Sequence, residues 1–426
     1  MLQRTTRARK LNSNYWKYWS GQTISSLGSS VTMFSLPLLV YKLTGSALNL
    51  GISTAANMLP YLFFGLLIGA WTDRYDRKRL MISADIARAL VIATIPLAAW
   101  LGWLSVWWIY AVGFIQATIG ISFDSSEFAA VPSLVDQDDL VTANGRIEAS
   151  YSAASMVGPI LAGVLVAFLS LPVLLLLDAA SFLISALSIA LITIRFNNEE
   201  GEQKKTATIF QDILEGLRYV WGHPVLRNIS IMMALVNFVS TTQGSQLVLF
   251  AKQRLAASDT QVGLLYAAGS LGVVVIALLA GPLRKRWSFS RVALSALMLN
   301  GLAILIISFL RQYWIVLVLQ ALASGCGILF NINTGSLRQA IVPRQMLGRV
   351  RSIASVLAWS AIPLGALLGG WLINLTHNVA LIYCIIGILV ILIPAGFALT
   401  PLGHADRYLP KAQPEQSKEG ANAERS

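Results

Sequence analysis

The chain has 426 residues, 56% of them hydrophobic and 12% charged, with a formal net charge of +12. A soluble domain carries about 25% charged residues, so a chain this apolar folds largely in lipid. Two cysteines and three histidines without ligand spacing exclude a disulfide framework and lend no support to metal chemistry.

About 20 apolar residues cross the hydrocarbon core of a bilayer. Residues 1–16, with Arg4, Arg7, Arg9 and Lys10, read as a basic cytoplasmic segment rather than a signal peptide. Twelve apolar runs follow, at 17–43, 48–72, 79–102, 104–123, 141–169, 172–194, 225–251, 260–282, 289–310, 313–337, 346–375 and 378–400. The first six predict an N-terminal bundle over 17–195 and the last six a C-terminal bundle over 225–400. Between them, 196–224 is polar. Glu199, Glu200, Glu202, Lys204 and Lys205 make its first part a solvated linker. In its second part Phe210, Leu214, Leu217 and Trp221 share one helical face, which predicts an amphipathic helix at the membrane surface. Residues 401–426 predict a disordered cytoplasmic tail.

The two sets of spans repeat one pattern. At an offset of 212, Leu43, Ser46, Gly51 and Gly69 match Leu255, Ser258, Gly263 and Gly281. At an offset of 207, Ala154, Gly158, Ala162 and Gly163 match Ala361, Gly365, Gly369 and Gly370. The halves are therefore expected to be related bundles in parallel orientation.

The basic charge is a topology signal. Of the 32 Lys and Arg, only Lys42, Lys252, Arg254 and Arg311 fall on one side of the predicted spans and Arg88 within a span. The others gather at the N-terminus, the even-to-odd-facing loops, the linker and the tail. By the positive-inside rule both termini are cytoplasmic. No basic segment is interleaved with aromatic residues, so the charge gives no support to nucleic-acid binding.

The loop after span 2 holds Gly69, Asp73, Arg74, Arg77 and Lys78. With the twelve spans in two parallel halves, it resembles the G-x-x-x-D-R-x-G-R-[KR] signature of the major facilitator superfamily, with Asp76 where the signature has glycine. Three segments resemble the branch of that superfamily containing the enterobactin exporter and the macrolide efflux proteins. They are WSGQTISSLG at 19–28, LDAASFLISA at 177–186 and EGLRYV at 215–220. The resemblance implies an all-α integral membrane fold with a midplane site between the halves, and a gating loop that holds the cytoplasmic side shut in the outward-open state. The alternative is that its basic residues only anchor topology.

Span 5 carries Ala154, Gly158 and Ala162 at four-residue steps, with Pro159 and Gly163; span 11 repeats this with Gly365 and Gly369. Small residues on one face allow close helix approach, so these spans are expected between the halves. Gly158, Pro159 and Gly163 also resemble the antiporter motif of drug exporters in the superfamily. Plain tight packing explains the same residues.

Charges inside a membrane default to function. Asp85 and Arg88, three apart, read as a pair. Asp124 and Glu127 at the end of span 4, with Arg146 and Glu148 at the start of span 5, read as a structural charge cluster. Asp178 in span 6 has no basic neighbour in sequence. It is either a proton carrier or a hydrogen-bonded carboxyl that fixes span 6. Span 4 lacks the arginine that drug antiporters of the superfamily often carry there. Gln22, Ser26 and Ser29 on span 1, and Asn237 and Thr241 on span 7, form polar stripes suited to a cavity for a neutral or weakly charged amphipathic solute. Helix–helix contacts would use the same residues.

The expected function is secondary active efflux of a drug-like or siderophore-like small molecule by alternating access, coupled to protons, in a bacterial inner membrane. A lipid-like solute flippase or an importer on the same fold is the alternative. The chain is expected to be no enzyme, to need no cofactor beyond the proton gradient, and to act as a monomer in the lipid bilayer.

Overall fold

A computed structural model describes residues 12–72, 75–136, 139–194, 196, 209–343 and 346–408. The first half is six helices: α1 (Ser13–Thr44), α2 (Ala47–Thr72), α3 (Arg77–Trp100), α4 (Val106–Leu134), α5 (Leu140–Leu165) and α6 (Leu171–Ala190). After α7 (Ile209–Gly222), the second half runs through α8 (Pro224–Ser245), α9 (Leu247–Arg254), α10 (Asp259–Arg286), α11 (Phe289–Phe309), α12 (Tyr313–Ile341), α13 (Leu347–Trp359), α14 (Ala361–Thr376) and α15 (Val379–Ala398). Ten helices among the described residues are long and apolar enough to cross a membrane. Helices α2 and α5, of 26 residues each, complete the two sets of six.

The halves are wired alike. In the first, α1 packs on α5 and α6, α3 on α4 and α6, and α2 on α4. In the second, α8 packs on α14 and α15, α11 on α12 and α15, and α10 on α12. Two crossed seams join them, α2 against α14 and α5 against α10. The sequence repeat is thus a structural repeat, with α8–α9 standing where α1 stands and α13–α14 where α5 stands.

Three expectations need correction. Span 7 is broken rather than continuous. Gln246 leaves helical geometry between α8 and α9, and its amide is drawn to the Ala47 carbonyl across the halves, 2.8 Å away. Span 11, by contrast, runs on through Ser360, whose backbone keeps helical angles between α13 and α14 and donates to the Val356 carbonyl at 2.9 Å. Span 4 continues past 123 to Leu134, because Ala130, Val131 and Leu134 bury against α1 and α5 residues such as Tyr15 and Ile147. The tail starts with a 3-10 helix, Pro401–Tyr408, rather than disorder. Leu402 and Ala405 are buried there, and the Ser290 hydroxyl donates to the Leu402 carbonyl at 2.7 Å.

The linker helix α7 begins and ends as its pattern predicts, with Pro224 opening α8 after His223. Val220 is fully buried on α13 residues Val350 and Ile353, while Leu214, Leu217 and Trp221 stay exposed. One face thus docks on the second half and the apolar stripe is left for lipid. Exposed Trp100, Trp103, Trp107 and Trp108 surround the α3–α4 turn, the position of an interfacial aromatic belt.

The buried core is uneven along the spans. At the end bearing the α1–α2 and α3–α4 turns, one apolar cluster draws on both halves, from Phe34, Leu38 and Leu50 to Val248, Val262 and Tyr383. At the opposite end the clusters of described residues are confined to single halves. Tyr15, Tyr18, Met81 and Phe196 belong to one, and Val225, Phe289 and Leu402 to another. Among the described residues the halves thus share a core at one end and keep separate cores at the other.

Candidate functional site

Helix α6 positions Asp178 toward α1. Its carboxylate accepts from Thr32 (2.5 Å), Ser29 (3.3 Å) and Ser181 (3.3 Å), and the residue is 2% exposed. Its hydrogen-bond donors among the described residues are three hydroxyls, not cations. A hydroxyl both donates and accepts, so this set can serve a carboxylate or a carboxylic acid.

Two turns along α6, Ser185 donates to Asp85 of α3 at 2.5 Å and accepts from Gln22 of α1 at 2.7 Å. Asp85 is fully buried and pairs with Arg88. The Arg88 guanidinium lies between the Phe123 and Phe182 rings, 4.4 and 4.5 Å from their centroids. Such stacking on aromatic faces is a strong choice for a desolvated cation. The expected Asp85–Arg88 pair is present, and it is the centre of an α1–α3–α6 junction that sequence spacing alone does not disclose.

The other polar candidates separate by environment. Gln22 is buried in the α1–α6 seam. Ser26 bonds back to the Gln22 carbonyl, and Thr241 to that of Asn237. Asn237 reaches the Ala358 carbonyl of α13 at 3.0 Å. The expected charge cluster around Arg146 is not assembled among the described residues. Arg146 lies over the Trp16 ring at 5.0 Å, and Glu148 is exposed. Glu127 instead accepts from Tyr18 and from Tyr151, the latter at 2.6 Å. No sequence spacing links Glu127 to these tyrosines, which stand 109 and 24 positions away.

Of the signature loop, Asp73 and Arg74 lie outside the described residues, and Gly69 falls in the last turn of α2. Asp76 caps α3, accepting from the Arg79 amide at 3.0 Å. Lys78 donates to the Ala190 and Ile192 carbonyls at 3.1 and 2.6 Å, and Arg77 to that of Phe196 at 3.3 Å. Lys78 thus sits at the C-terminal end of α6, where the helix dipole favours a cation.

The small-residue stripes divide between seams. A Cβ on Gly158 would strike Ser30 of α1, within the same half. Gly163 meets Gly263 and Thr260 of α10 across the halves, and the Pro159 carbonyl lies against Gly263 as well. Ala154 and Ala162 are buried. On the second half Gly365 abuts the Phe238 backbone and Gly369 abuts Thr242, both on α8. The cross-half contact there belongs to Gly370, against Ala47 and Leu48 of α2.

A family model described as transmembrane secretion effector matches residues 10–421. The chain is 29% identical over 355 residues to the multidrug efflux pump Tap of Mycolicibacterium fortuitum, covering 80% of this chain and 85% of that protein. It is 24% identical over 364 residues to macrolide efflux protein A of Streptococcus pyogenes, covering 83% and 89%. Among solved structures it resembles the nucleoside transporter NupG, with a TM-score of 0.74, 12% identity and 91% and 98% coverage. It also resembles a bacterial homologue of the iron transporter ferroportin in an inward-facing state, with a TM-score of 0.71, 16% identity and 92% and 100% coverage. At these identities the structural likenesses speak to fold.

Proposed function

Since the chain belongs to the transmembrane secretion effector family of major facilitator transporters, we propose that it is a proton-coupled exporter of drug-like, macrolide-type or siderophore-like molecules. Secondary active efflux follows from the family and its pump relatives. The cargo class is our reading, supported by likeness over more than three quarters of the chain to proteins named for multidrug and macrolide efflux. The chain sits in the bacterial inner membrane with both termini cytoplasmic, as the asymmetry of Lys and Arg argues.

The observation that carries the mechanism is the uneven core. The halves share apolar packing at the outer end and keep separate cores at the inner end. In this orientation the molecule is open to the cytoplasm, ready to load an amphipathic solute. Rocking of the halves then closes the inner end and opens the outer end. A ligand shifts this equilibrium only by binding one state better than the other. We place the proton at Asp178, a buried carboxyl with three hydroxyl donors on α1 and α6, and the bias would come from its effect on how the first half meets the second.

The test is cellular accumulation of macrolides, other drugs and siderophores with and without the protein, each repeated with a protonophore. Lowered accumulation of at least one class, reversed by the protonophore, is expected. Equal accumulation across the panel refutes the cargo, and export that survives the protonophore refutes the coupling.

A further inference from the structure

We infer that Lys42, Asp259 and Lys252 form the outer gate of the transport cycle, with Asp259 exchanging between a two-lysine and a one-lysine partnership as the halves part. The inference rests on the orientation given under Proposed function, and its test separates the two.

Lys42 ends α1 in the first half; Asp259 opens α10 in the second. Their ion pair is 2.5 Å long and crosses the closed end. Lys252, on α9 of the same half as Asp259, takes the other carboxylate oxygen at 2.5 Å. The Lys252 ammonium also donates to the Ala257 carbonyl at 2.8 Å, which holds it beside Asp259 whatever the first half does. Helix α10 is fixed locally by a capping box between Ser258 and Gln261. One leg of the bridge is thus internal to the second half, and the other is the leg that rocking must break.

This arrangement suits a gate physically. Breaking an isolated sheltered ion pair leaves an uncompensated charge, which is strongly unfavourable. Here Asp259 keeps Lys252 when Lys42 leaves. Lys42 is 47% exposed and gains solvent. The bridge therefore biases the closed state without locking it. The neighbouring contacts have the same reversible character. Gln246 donates to Ala47 across the halves, yet its amide oxygen is buried without a partner. Ser270 of α10 donates to the Ser155 carbonyl of α5 at 2.9 Å, and Phe34 meets Tyr266 edge to face at 5.9 Å.

The sequence repeat shows that the bridge is one-sided. The offset that carries Leu43 onto Leu255 carries Ala47 onto Asp259 and Lys42 onto Arg254. The pseudo-equivalent position at the start of α2 therefore has no carboxylate, and the ion bridge between the halves at this end is not duplicated by the repeat.

The experiment uses full-length protein in intact cells, with Cys326 and Cys384 replaced by serine. A cysteine at Met33, 71% exposed on the α1 face that carries Ser26 and Ser29, is probed with a membrane-impermeant maleimide. Lys42→Gln and Asp259→Asn are expected to raise its labelling rate from outside by about five-fold, the population shift equivalent to one exposed ion pair. Lys252→Gln leaves the crossing leg intact and is expected to leave labelling at or below the parent rate. Equal labelling in all variants, or the same rise in Lys252→Gln as in Lys42→Gln, overturns the gate. Abundance of each variant is measured alongside, and the peripheral Lys42→Gln carries the test if Asp259→Asn is poorly folded. In a separate strain, Lys42→Cys is labelled by the same reagent. Failure of that labelling overturns the orientation and leaves the bridge as a gate for the opposite face.

Discussion

Asp178 and Asp85 are both buried carboxylates on the α1–α3–α6 junction, and their partners assign them different work. Asp178 has only hydroxyl donors among the described residues. Asp85 has a guanidinium clamped between two aromatic rings. Asp178→Asn preserves shape and most hydrogen bonding but carries no titratable proton, so it is expected to keep normal abundance and lose protonophore-sensitive export. Normal export by Asp178→Asn would assign Asp178 to structure alone. Arg88→Met leaves Asp85 charged and uncompensated in the membrane, an error that costs about 3–5 kcal/mol in buried ion pairs. It is expected to lower the melting temperature of purified protein strongly. The double variant Asp85→Leu with Arg88→Met removes both charges and is expected to recover much of that loss. Additive losses in a thermal-unfolding cycle would show that the two side chains do not act as a pair.

At the scale of helices, the decisive contacts are backbone on backbone. A Cβ on Gly163 would stand 3.1 Å from the Gly263 Cα and 3.3 Å from the Thr260 carbonyl oxygen. Alanine fits with a shift of tenths of an ångström; leucine does not. Gly163→Leu is expected to wedge α5 from α10, with an overpacking cost of about 1–3 kcal/mol borne only by the outer-closed state. Export then falls, and outside labelling of the cysteine at Met33 rises. Gly163→Ala is expected to stay near the parent in both. Equal behaviour of the two variants would mean that this seam does not set the resting state.

The same helices show what the sequence discloses and what it hides. Small residues at four-residue steps marked α5 and α14 as closely packed, because they let helix backbones approach. They did not say which partner each glycine meets. Gly158 faces α1 and Gly163 faces α10, since side chains five apart on a helix point in different directions. The break at Gln246 follows the pair Gly244–Ser245, a kink signal present in the sequence; the bond that Gln246 makes to Ala47, 199 positions away, was hidden. Lys42 and Lys252 stood out as rare cations on their side of the membrane, yet only folding brings Asp259 between them.

Across the whole molecule, export requires a second state in which the inner end closes, and the described residues form no shared core there to supply the attraction. The contact must be made anew in the outward-open state. The signature loop stands at that end. Its described cations, Arg77 and Lys78, are engaged with the carbonyls at the end of α6 and hold α3 to its own half. These contacts serve anchoring; the acidic member of the signature, Asp73, lies outside the described residues, and we propose that it serves the inner closure. Asp73→Asn is accordingly expected to leave insertion and abundance normal, to lower export, and to reduce outside labelling of the cysteine at Met33, because the outward-open state becomes less populated. The measurement pairs drug accumulation with maleimide labelling in the same cells. Lower export with unchanged labelling would place Asp73 in a step other than closure. Unchanged export would leave the loop as a topology anchor, with inner closure supplied by apolar contact alone.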